Sequence, residues 1–335
     1  MPLEALRWPL TPPGLHYLLI HYDVPLVDVG EWRLELVGRV ERPVMLSLEE
    51  LKQRETVTVP VTMECAGNGR AHLTPRPISQ PWFGEAVGTA AWTGTPLAPL
   101  LREAGVGAEA VEVLFSGLDR GVEGGIEQAY ERSLTIPEAL ETGALLAWGI
   151  EDLPLPPQHG FPLRLIVPGW YGMTNVKWLR RIKVLDAPFE GYQQAQGYRI
   201  RKTADEPGEP VTRILPRALM VPPGMPDFLT RRRFVAAGSH RLEGRAWSGL
   251  GEVSRVEVSS TGGSNWEDAE LGDAVGRHAW RGWSYVWDNA ERGEHQLVCR
   301  AWDDAGNVQP LEPDWNLGGY ANNAVQRIPV TVTES

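Results

Sequence analysis

The residues best suited to chemistry in this sequence begin with Cys65 and Arg70. They stand on either side of a Gly-Asn-Gly loop in the run Thr-Met-Glu-Cys-Ala-Gly-Asn-Gly-Arg, residues 62–70. A thiolate binds soft metal ions, and glycines allow the backbone to pass close to a bulky group. An isolated cysteine on an apolar face is more often a small core residue. The run by itself therefore leaves both a structural and a metal-binding role open for Cys65.

A second run, residues 159–179, places two cations in apolar surroundings. Arg164 lies in the apolar stretch 162–167, and Lys177 follows a Pro-Gly turn in a second apolar stretch. The first stretch predicts a strand whose opposite face is formed by Leu163, Leu165 and Val167. A buried cation needs an anion, which could be the carboxylate of a structural salt bridge or the phosphate of a ligand. Two such cations in one run favour the phosphate.

Three further residues stand out by their setting. His21 interrupts the apolar run 15–25, where a histidine is usually a core residue with its hydrogen bonds satisfied. Asp119 follows an apolar alternation and a glycine, where an aspartate is usually a solvated turn residue. Cys299, the second of the two cysteines, lies in an apolar segment and is predicted to be a core residue.

Strand patterns position these residues. Apolar residues alternate with other residues from Val57 to Cys65, which predicts a strand with one buried face that ends at Cys65. A second alternation, 111–115, predicts a strand that ends in a turn at 116–120. We expect that turn to present Asp119.

Length and composition indicate two domains. A chain of 335 residues is long for one core, and a proline-rich, irregular segment separates its halves. The predicted limits are 1–205 and 206–335. The second part has short alternating apolar segments and seven of the 14 tryptophans, which favours an all-β sandwich with an aromatic contact surface.

Charge and motif content disfavour several classes of function. With 43 acidic and 32 basic side chains the net charge is −11, which argues against a nucleic-acid partner. The cysteines form no disulfide framework, zinc motif or Cys-x-x-Cys-His haem motif. The sequence has neither a signal-peptide pattern nor an apolar run of about 18 residues, so we expect no membrane association and a cytoplasmic location.

The run 62–70 closely resembles the cysteine loop of the sulfite oxidase family, and the run 159–179 resembles the pterin-binding segment of that family in order and spacing. The resemblance implies the fold class α+β, with a sulfite-oxidase-like mixed α/β catalytic domain followed by an all-β immunoglobulin-like sandwich that forms a homodimer. It also implies a molybdenum–molybdopterin cofactor and Cys65 as the only protein ligand of the metal. Because the sequence has no Cys-x-x-Cys-His motif, we expect no haem and a separate electron acceptor.

The resemblance implies a role for each candidate residue. For cofactor binding these residues are Tyr17, His21, Cys65, Asp119, His159, Arg164, Asn175 and Lys177. Arg70 matches an arginine that binds the substrate anion. Tyr198 matches a catalytic tyrosine whose hydroxyl lies near the metal, and Tyr192 is the alternative because the spacing is slightly different.

The activity that the resemblance implies is two-electron oxygen-atom transfer, which oxidises sulfite to sulfate and passes electrons to a separate acceptor such as a cytochrome. Leu19 and Gly318 stand where the family has further arginines of the anion site. The loss of two cations would weaken binding of a dianion. A sulfoxide reductase or an oxidase of another small sulfur compound is therefore an alternative, and a non-enzymatic interaction protein is a third.

Overall fold

The computed structural model describes residues 1–334. The strands of the first part are β1 (Leu34–Gly38), β2 (Val44–Leu46), β3 (Val57–Glu64), β4 (Val87–Pro96), β5 (Glu112–Glu123), β6 (Ile126–Thr135), β7 (Leu145–Ile150), β8 (Leu153–Pro154), β9 (Arg164–Ile166) and β10 (Leu179–Leu185). Its α-helices are α1 (Leu48–Lys52), α2 (Leu97–Ala104), α3 (Ile136–Glu141) and α4 (Tyr192–Ala195). Short 3-10 helices cover Leu3–Arg7, Arg70–His72, Pro157–His159 and Gly172–Thr174. Within residues 1–334, no helix is long and apolar enough to cross a membrane.

Two sheets share the main core of this first part. One has the strand order β2-β1-β10-β5-β6, in which β1 and β10 are parallel and the other neighbours are antiparallel. The other has the order β3-β4-β7-β8, and β9 also pairs with β7. Apolar side chains from both sheets and from α1 to α3 form one buried cluster, which includes Leu36, Leu51, Phe115, Leu146 and Ile182.

Strand β3 differs from its predicted pattern near its end. The last four residues of the strand are all buried, so only its first half has an exposed face. The C-terminal part of the chain covers the other half, where Thr62 N–H donates a hydrogen bond to the carbonyl of His278 at 2.8 Å. Cys65 follows the strand directly. The side of β3 that was expected to face solvent is therefore, in its second half, a contact between the two parts of the chain.

Strand β5 does not end in the predicted turn at 116–120. It continues to Glu123 because β6 pairs with it on both sides of this point, and the register shifts between Ser116 and Arg120. Such a shift marks a β-bulge, which redirects a side chain out of the regular alternation. Asp119 is buried at this bulge, and the prediction of a turn was wrong because the partner strand decides whether a Gly-Leu-Asp triplet turns or bulges.

The predicted division of the 162–167 stretch into two faces is confirmed, although both faces are buried. Leu165 packs into the main core, whereas Ile166 belongs to an apolar cluster on the other side of the sheet. Arg164 lies on the same side as Ile166 and lines a cleft. The cleft is the reason why a charged residue can stand in an otherwise apolar strand.

The second part of the chain consists of strands. After the pair β11 (Arg199–Ile200) and β12 (Glu209–Pro210), they are β13 (Arg217–Met220), β14 (Met225–Pro226), β15 (Arg233–Ala236), β16 (Gly238–Trp247), β17 (Val253–Ser259), β18 (Glu267–Asp268), β19 (Glu270–Ala274), β20 (Arg281–Ala290), β21 (Gly293–Asp303) and β22 (Arg327–Thr333). Two sheets form, with the orders β13-β16-β20-β19 and β14-β15-β22-β21-β17-β18. They enclose a core in which Cys299 is completely buried, as predicted.

Segments from each part pack on the other part. The N-terminal 3-10 helix lies against the second part, where Arg245 Nε donates to the carbonyl of Leu6 at 2.7 Å. In the other direction, Ala321 N–H donates to the carbonyl of Ala66 at 2.8 Å. Residues on each side of the predicted boundary between 205 and 206 therefore contact the part of the chain on the other side.

A buried ion pair joins the two parts next to the loop that follows β3. Arg217 Nη1 on β13 lies 2.8 Å from Glu64 Oε1 on β3, and both side chains are almost completely buried. Glu64 also accepts hydrogen bonds from Trp247 Nε1 at 2.8 Å and Asn68 Nδ2 at 2.9 Å. Arg217 also donates to the carbonyls of Asn68 and Asn322. Several hydrogen bonds are what a buried ion pair needs, because each charge has lost its hydration.

We expect Arg217→Leu to lower the free energy of unfolding by about 3–5 kcal/mol, because Glu64 then stays buried without its cation. The double variant Glu64→Leu/Arg217→Leu should recover much of this loss, since neither charge remains. Urea unfolding followed by circular dichroism measures both effects. Arg120→Leu, which removes an exposed pair with Glu127, is the control and should cost less than about 1 kcal/mol. An equal decrease in the free energy of unfolding in Arg217→Leu and Arg120→Leu would contradict a stabilising role of the buried pair.

Candidate active site

One cleft in the first part brings together most of the residues singled out in the sequence. The cleft is lined by His16, Tyr17, Leu18, Leu19, His21, Met63, Cys65, Ala66, Asp119, Tyr130, His159, Arg164, Gly172, Met173, Asn175, Lys177 and Tyr198. This lining contains every residue predicted for cofactor binding, although these residues come from separate stretches of the chain.

Cys65 is a free, buried thiol in this lining. Its N–H donates to the carbonyl of Ala86 at 2.9 Å, which fixes the backbone just after β3. Burial raises the pKa of the thiol, and the N–H of Gly67 and the charge of Arg70 oppose that change. A bound metal ion would remove the proton, because a coordinating thiol is deprotonated. Cys65 therefore combines a rigid backbone with access to the cleft.

Arg164 is a buried guanidinium that pairs with no carboxylate of residues 1–334. It donates to the carbonyls of His159 at 3.0 Å and Asn175 at 3.3 Å, and its Cζ lies 4.7 Å from the centre of the Trp92 ring. Its Nε has no hydrogen-bond partner, and burial lowers its pKa to about 10. Of the two anions that the sequence left open, the carboxylate of a salt bridge is excluded, and the anion of a ligand is compatible with these contacts.

Lys177 and Asp119 face the same cleft. Lys177 Nζ donates to the carbonyl of Leu19 at 2.7 Å and lies 4.4 Å from the centre of the Trp178 ring. Burial lowers the pKa of Lys177, and the charge of Arg164 acts in the same direction. Asp119 Oδ1 has no hydrogen-bond partner, and burial raises the pKa of this carboxyl group. A ligand with an anionic group and hydrogen-bond donors would satisfy both side chains.

Two imidazoles stand side by side in the lining, with the ring centres of His16 and His159 5.7 Å apart. Burial lowers the pKa of His159 to about 4, and Arg164 and Lys177 add to that effect. Burial also lowers the pKa of His16 to about 3, so both rings are neutral at pH 7. His16 Nε2 has no partner. The sequence patterns did not single out His16, although its place beside Tyr17 was an available signal.

Asn175 and Tyr17 line the cleft in different ways. Asn175 Oδ1 accepts a hydrogen bond from Val167 N–H at 2.7 Å, and its Nδ2 donates to the carbonyl of Tyr171 at 3.2 Å. The side chain of Asn175 thus holds the turn that shapes the cleft, and its contact with a cofactor stays a prediction. The hydroxyl of Tyr17 packs so closely on Gly172 that a Cβ atom there would lie 2.2 Å from it.

A second group of residues forms an adjoining opening, here called the mouth. The mouth is lined by Leu19, Ile20, His21, Tyr22, Cys65, Gly67, Arg70, Ser79, Gln80, Val122, Glu123, Tyr198 and Tyr320. Four of these residues also line the cleft, so the two spaces are continuous. A small molecule in the mouth would therefore lie next to Cys65.

Arg70 supplies the positive charge of the mouth. Its Nε donates to the carbonyl of Gly318 at 2.9 Å and its Nη1 to the carbonyl of Gln80 at 3.1 Å. A Cβ atom at residue 67 would lie 2.5 Å from the guanidinium of Arg70, so a larger residue there would displace that side chain. Among the described residues no carboxylate forms an ion pair with Arg70, so its charge is available to an anion.

His21 has a partner that the sequence did not indicate. Its Nε2 lies 2.7 Å from Glu123 Oε2, which also accepts a hydrogen bond from Gln193 Nε2. Burial disfavours the ionised form of Glu123, but the hydrogen bonds from His21 and Gln193 outweigh burial and lower its pKa. The imidazole thus stands in both linings beside a carboxylate, and its predicted contact with a cofactor stays a prediction.

Tyr198, and not Tyr192, reaches the cleft and the mouth. Its backbone has φ +49°, a left-handed conformation that a non-glycine residue adopts only where its surroundings hold it. Burial raises the pKa of Tyr198 well above its usual value, so the hydroxyl stays protonated at neutral pH. Tyr192 belongs to neither lining, and its ring lies close to Gly124. Of the two tyrosines, Tyr198 therefore lies beside Cys65 in both linings, and its catalytic role stays a prediction.

The two positions at which the sequence resemblance implies an arginine in the family, 19 and 318, differ in their surroundings. Leu19 lines both the cleft and the mouth, as expected of a pocket residue. Gly318 contributes its carbonyl to Arg70, and a Cβ atom at this position would lie 2.3 Å from the ring of Tyr320. Tyr320, which no sequence pattern indicated, therefore fills the space beside residue 318.

The unpaired groups of the cleft fit one kind of ligand. Two buried cations suit a phosphate, and the thiol of Cys65 suits a metal. Asp119 and His16 each have a buried polar atom without a partner, and a heterocycle with donors and acceptors would satisfy both. The donor set of the cleft therefore fits a molybdopterin cofactor.

Comparisons with known proteins agree with this geometry. Residues 21–193 match the family model of the oxidoreductase molybdopterin-binding domain, and residues 221–333 match that of the Mo-co oxidoreductase dimerisation domain. Mitochondrial sulfite oxidase of Rattus norvegicus is 34% identical over 346 residues, which cover 96% of this chain and 62% of the relative. Nitrate reductase [NAD(P)H] of Hordeum vulgare is 33% identical over 350 residues, which cover 96% of this chain and 39% of the relative. The chain thus spans less than two thirds of these relatives.

Among solved structures, the sulfane dehydrogenase SoxCD from Paracoccus pantotrophus is similar, with a TM-score of 0.85 and 26% identity over 100% of this chain and 86% of that chain. This likeness and the second family match confirm the predicted α+β fold with its all-β second domain. The first family match confirms the predicted molybdopterin cofactor. Because that match covers more than half of the residues, this chain belongs to the sulfite oxidase family of molybdopterin-binding oxidoreductases.

Proposed function

We propose that this chain oxidises the sulfur atom of a small anion by oxygen-atom transfer, with sulfite as the first candidate, and passes the electrons to a separate acceptor such as a cytochrome. The observation that carries the proposal is the continuity of the mouth and the cleft, since Arg70 and Cys65 line the same opening. An anion bound to the guanidinium would have its sulfur close to a metal held by the thiol.

The residues that would hold the cofactor have separate tasks. Cys65 would bind the metal, and Arg164 and Lys177 would bind the phosphate as buried cations. Asp119 and His159 would contact the heterocycle. When bound, the cofactor supplies the two-electron transfer of an oxygen atom, which no side chain of the protein can perform.

The chain itself binds and orients the substrate. Arg70 holds the anion through the donors that its two carbonyl partners leave free. The Tyr198 hydroxyl stays protonated because burial raises its pKa, so it can donate a hydrogen bond to an oxygen atom near the metal. Tyr198 lines both the mouth and the cleft, and its surroundings hold its backbone at φ +49°.

A second candidate function rests on Leu19. This apolar residue lines the mouth where the family has arginine, which favours a substrate of lower charge than sulfite. Reduction of a sulfoxide or oxidation of another small sulfur compound is the alternative. A paired assay, with sulfite and ferricyanide on one side and methionine sulfoxide and reduced viologen on the other, distinguishes oxidation from reduction.

We also propose a homodimer that forms through the second domain, which the dimerisation-domain match supports. A non-enzymatic interaction protein is a weaker alternative, and a molybdenum content near zero in protein purified from cofactor-producing cells would support it. The absence of haem and the cytoplasmic location stay predictions from the sequence.

We expect Cys65→Ser to remain folded and dimeric and to lose activity by about 100-fold or more, because a hydroxyl is a poor substitute for a thiolate on a soft metal. Steady-state sulfite oxidation per folded protein measures the effect. Cys299→Ala, which changes the cysteine in the core of the second part, is the control and should keep its activity. Wild-type turnover in Cys65→Ser would contradict the ligand assignment.

We expect Arg164→Met to contain about five-fold less molybdenum than the wild type, because the cofactor phosphate loses a buried cation. The cofactor-free variant should unfold at the same or a higher temperature than cofactor-free wild type, since the guanidinium is buried without an anion. Metal analysis and thermal unfolding measure these effects, with the exposed Arg120→Met as control. Full molybdenum content in Arg164→Met would refute its role in holding the phosphate.

We expect the KM for sulfite to be high and to rise with salt, because one arginine provides most of the attraction. Leu19→Arg should lower KM with less change in kcat, since the added contact stabilises bound substrate and transition state alike. Arg70→Met should raise KM and weaken the salt dependence, and Leu19→Met is the uncharged control. Tight, salt-insensitive sulfite binding that survives Arg70→Met would show that the anion binds elsewhere.

A further inference from the structure

The glycine at position 318 does not leave an empty space. Its Cβ atom would lie 2.3 and 2.5 Å from two ring carbons of Tyr320, distances that no side chain tolerates. An arginine at 318 would therefore require the Tyr320 ring to move. Position 318 therefore cannot carry a cation while the Tyr320 ring occupies its present place.

Tyr320 is held firmly in the mouth. Its N–H donates to Asn316 Oδ1 at 3.0 Å, and its carbonyl accepts from Asn316 Nδ2 at 2.8 Å. Its ring centre lies 5.1 Å from that of Tyr198 and 5.3 Å from Cζ of Arg70. A substrate anion on Arg70 would thus meet the ring of Tyr320 beside it.

The charges around the mouth favour a monoanion. Arg70 is a cation without a carboxylate partner there, whereas His21 is paired with Glu123. Glu123 is an anion in the same lining and would repel a second negative charge. Leu19, Ile20, Val122, Tyr198 and Tyr320 contribute apolar or aromatic surface to one part of the opening, and Tyr22, Ser79 and Gln80 contribute polar groups to the rest. One positive charge beside an apolar wall suits a ligand with one negative charge and one organic group.

We propose that Tyr320 determines specificity and that the substrates are organic sulfinates, R–SO2⁻; this inference rests on the function proposed above. A sulfinate has the sulfur lone pair that oxygen-atom transfer requires, and it carries a single charge. The reaction is R–SO2⁻ + H2O → R–SO3⁻ + 2 H⁺ + 2 e⁻. A sulfur–oxygen bond forms, two O–H bonds of water break, and the electrons go to the external acceptor. The sulfinate oxygens bind Arg70, and the organic group packs on Tyr320 and Leu19.

The test compares sulfite, methanesulfinate and benzenesulfinate as substrates of the molybdenum-loaded protein, with ferricyanide as electron acceptor. We expect kcat/KM to rise in that order, with benzenesulfinate at least about 10-fold above sulfite, the usual size of a hydrophobic discrimination. Benzenesulfonate, the product, should also bind the cofactor-free protein more tightly than sulfate does in isothermal titration calorimetry. The comparison on wild type requires no variant to fold.

Variants of positions 318 and 320 then test whether Tyr320 determines the substrate specificity. Tyr320→Ala should raise KM for benzenesulfinate about 10-fold with little change in kcat, and it should lower kcat/KM for benzenesulfinate more than kcat/KM for sulfite, because sulfite has no organic group to pack on the ring. Tyr320→Phe should retain the preference because the ring remains. Gly318→Arg/Tyr320→Val should shift the preference towards sulfite. Phe228→Ala, which removes an exposed aromatic ring of the second part, is the control.

The outcomes separate the two proposals. Sulfite oxidation with kcat/KM equal to or above that of both sulfinates would overturn the sulfinate inference and leave sulfur oxidation in place. A molybdenum-replete protein that oxidises none of the three substrates, but reduces methionine sulfoxide or nitrate with reduced viologen, would overturn both. An unchanged benzenesulfinate KM in Tyr320→Ala would overturn the role of Tyr320.

Discussion

The geometry of the site depends on the buried ion pair between Glu64 and Arg217. Charges removed from water are tolerated only when fixed partners surround them, so this pair requires one relative arrangement of the two parts of the chain. The same contact region holds the loop after Cys65, where Asn322 Nδ2 donates to the carbonyl of Gly69 at 2.7 Å. The second part is therefore a structural component of the site as well as a sandwich with its own core.

In the cleft, by contrast, several buried polar groups have only part of their hydrogen bonds from the protein. Within residues 1–334 Arg164 pairs with no carboxylate, and Asp119 and His16 each have a buried polar atom without a partner. Such groups destabilise a protein unless a ligand completes their hydrogen bonds. Binding of the cofactor should therefore stabilise the fold as well as provide the chemistry, since a ligand that binds only the folded state shifts the folding equilibrium.

The mouth shows how neighbouring residues constrain one another. The guanidinium of Arg70 lies against Gly67, donates through Nε to the carbonyl of Gly318 and lies over the ring of Tyr320. Residues in such direct contact do not contribute independently, so a single substitution at one of them changes the others. The charge and shape of the mouth thus depend on this group of residues together, and an arginine at position 318 would also displace the ring of Tyr320.

By itself the sequence identified candidate residues where they lie close together in the chain. Cys65 and Arg70 share one loop, and Arg164 and Lys177 share one run, so their order and spacing carried the family resemblance that singled them out. Only the tertiary structure decided the bulge of Asp119, the pairing of His21 with a residue 102 positions away, and the place of Tyr320. The physical reason is that these features depend on partner strands and loops distant in sequence, and local patterns contain no information on which distant segment fills a given space.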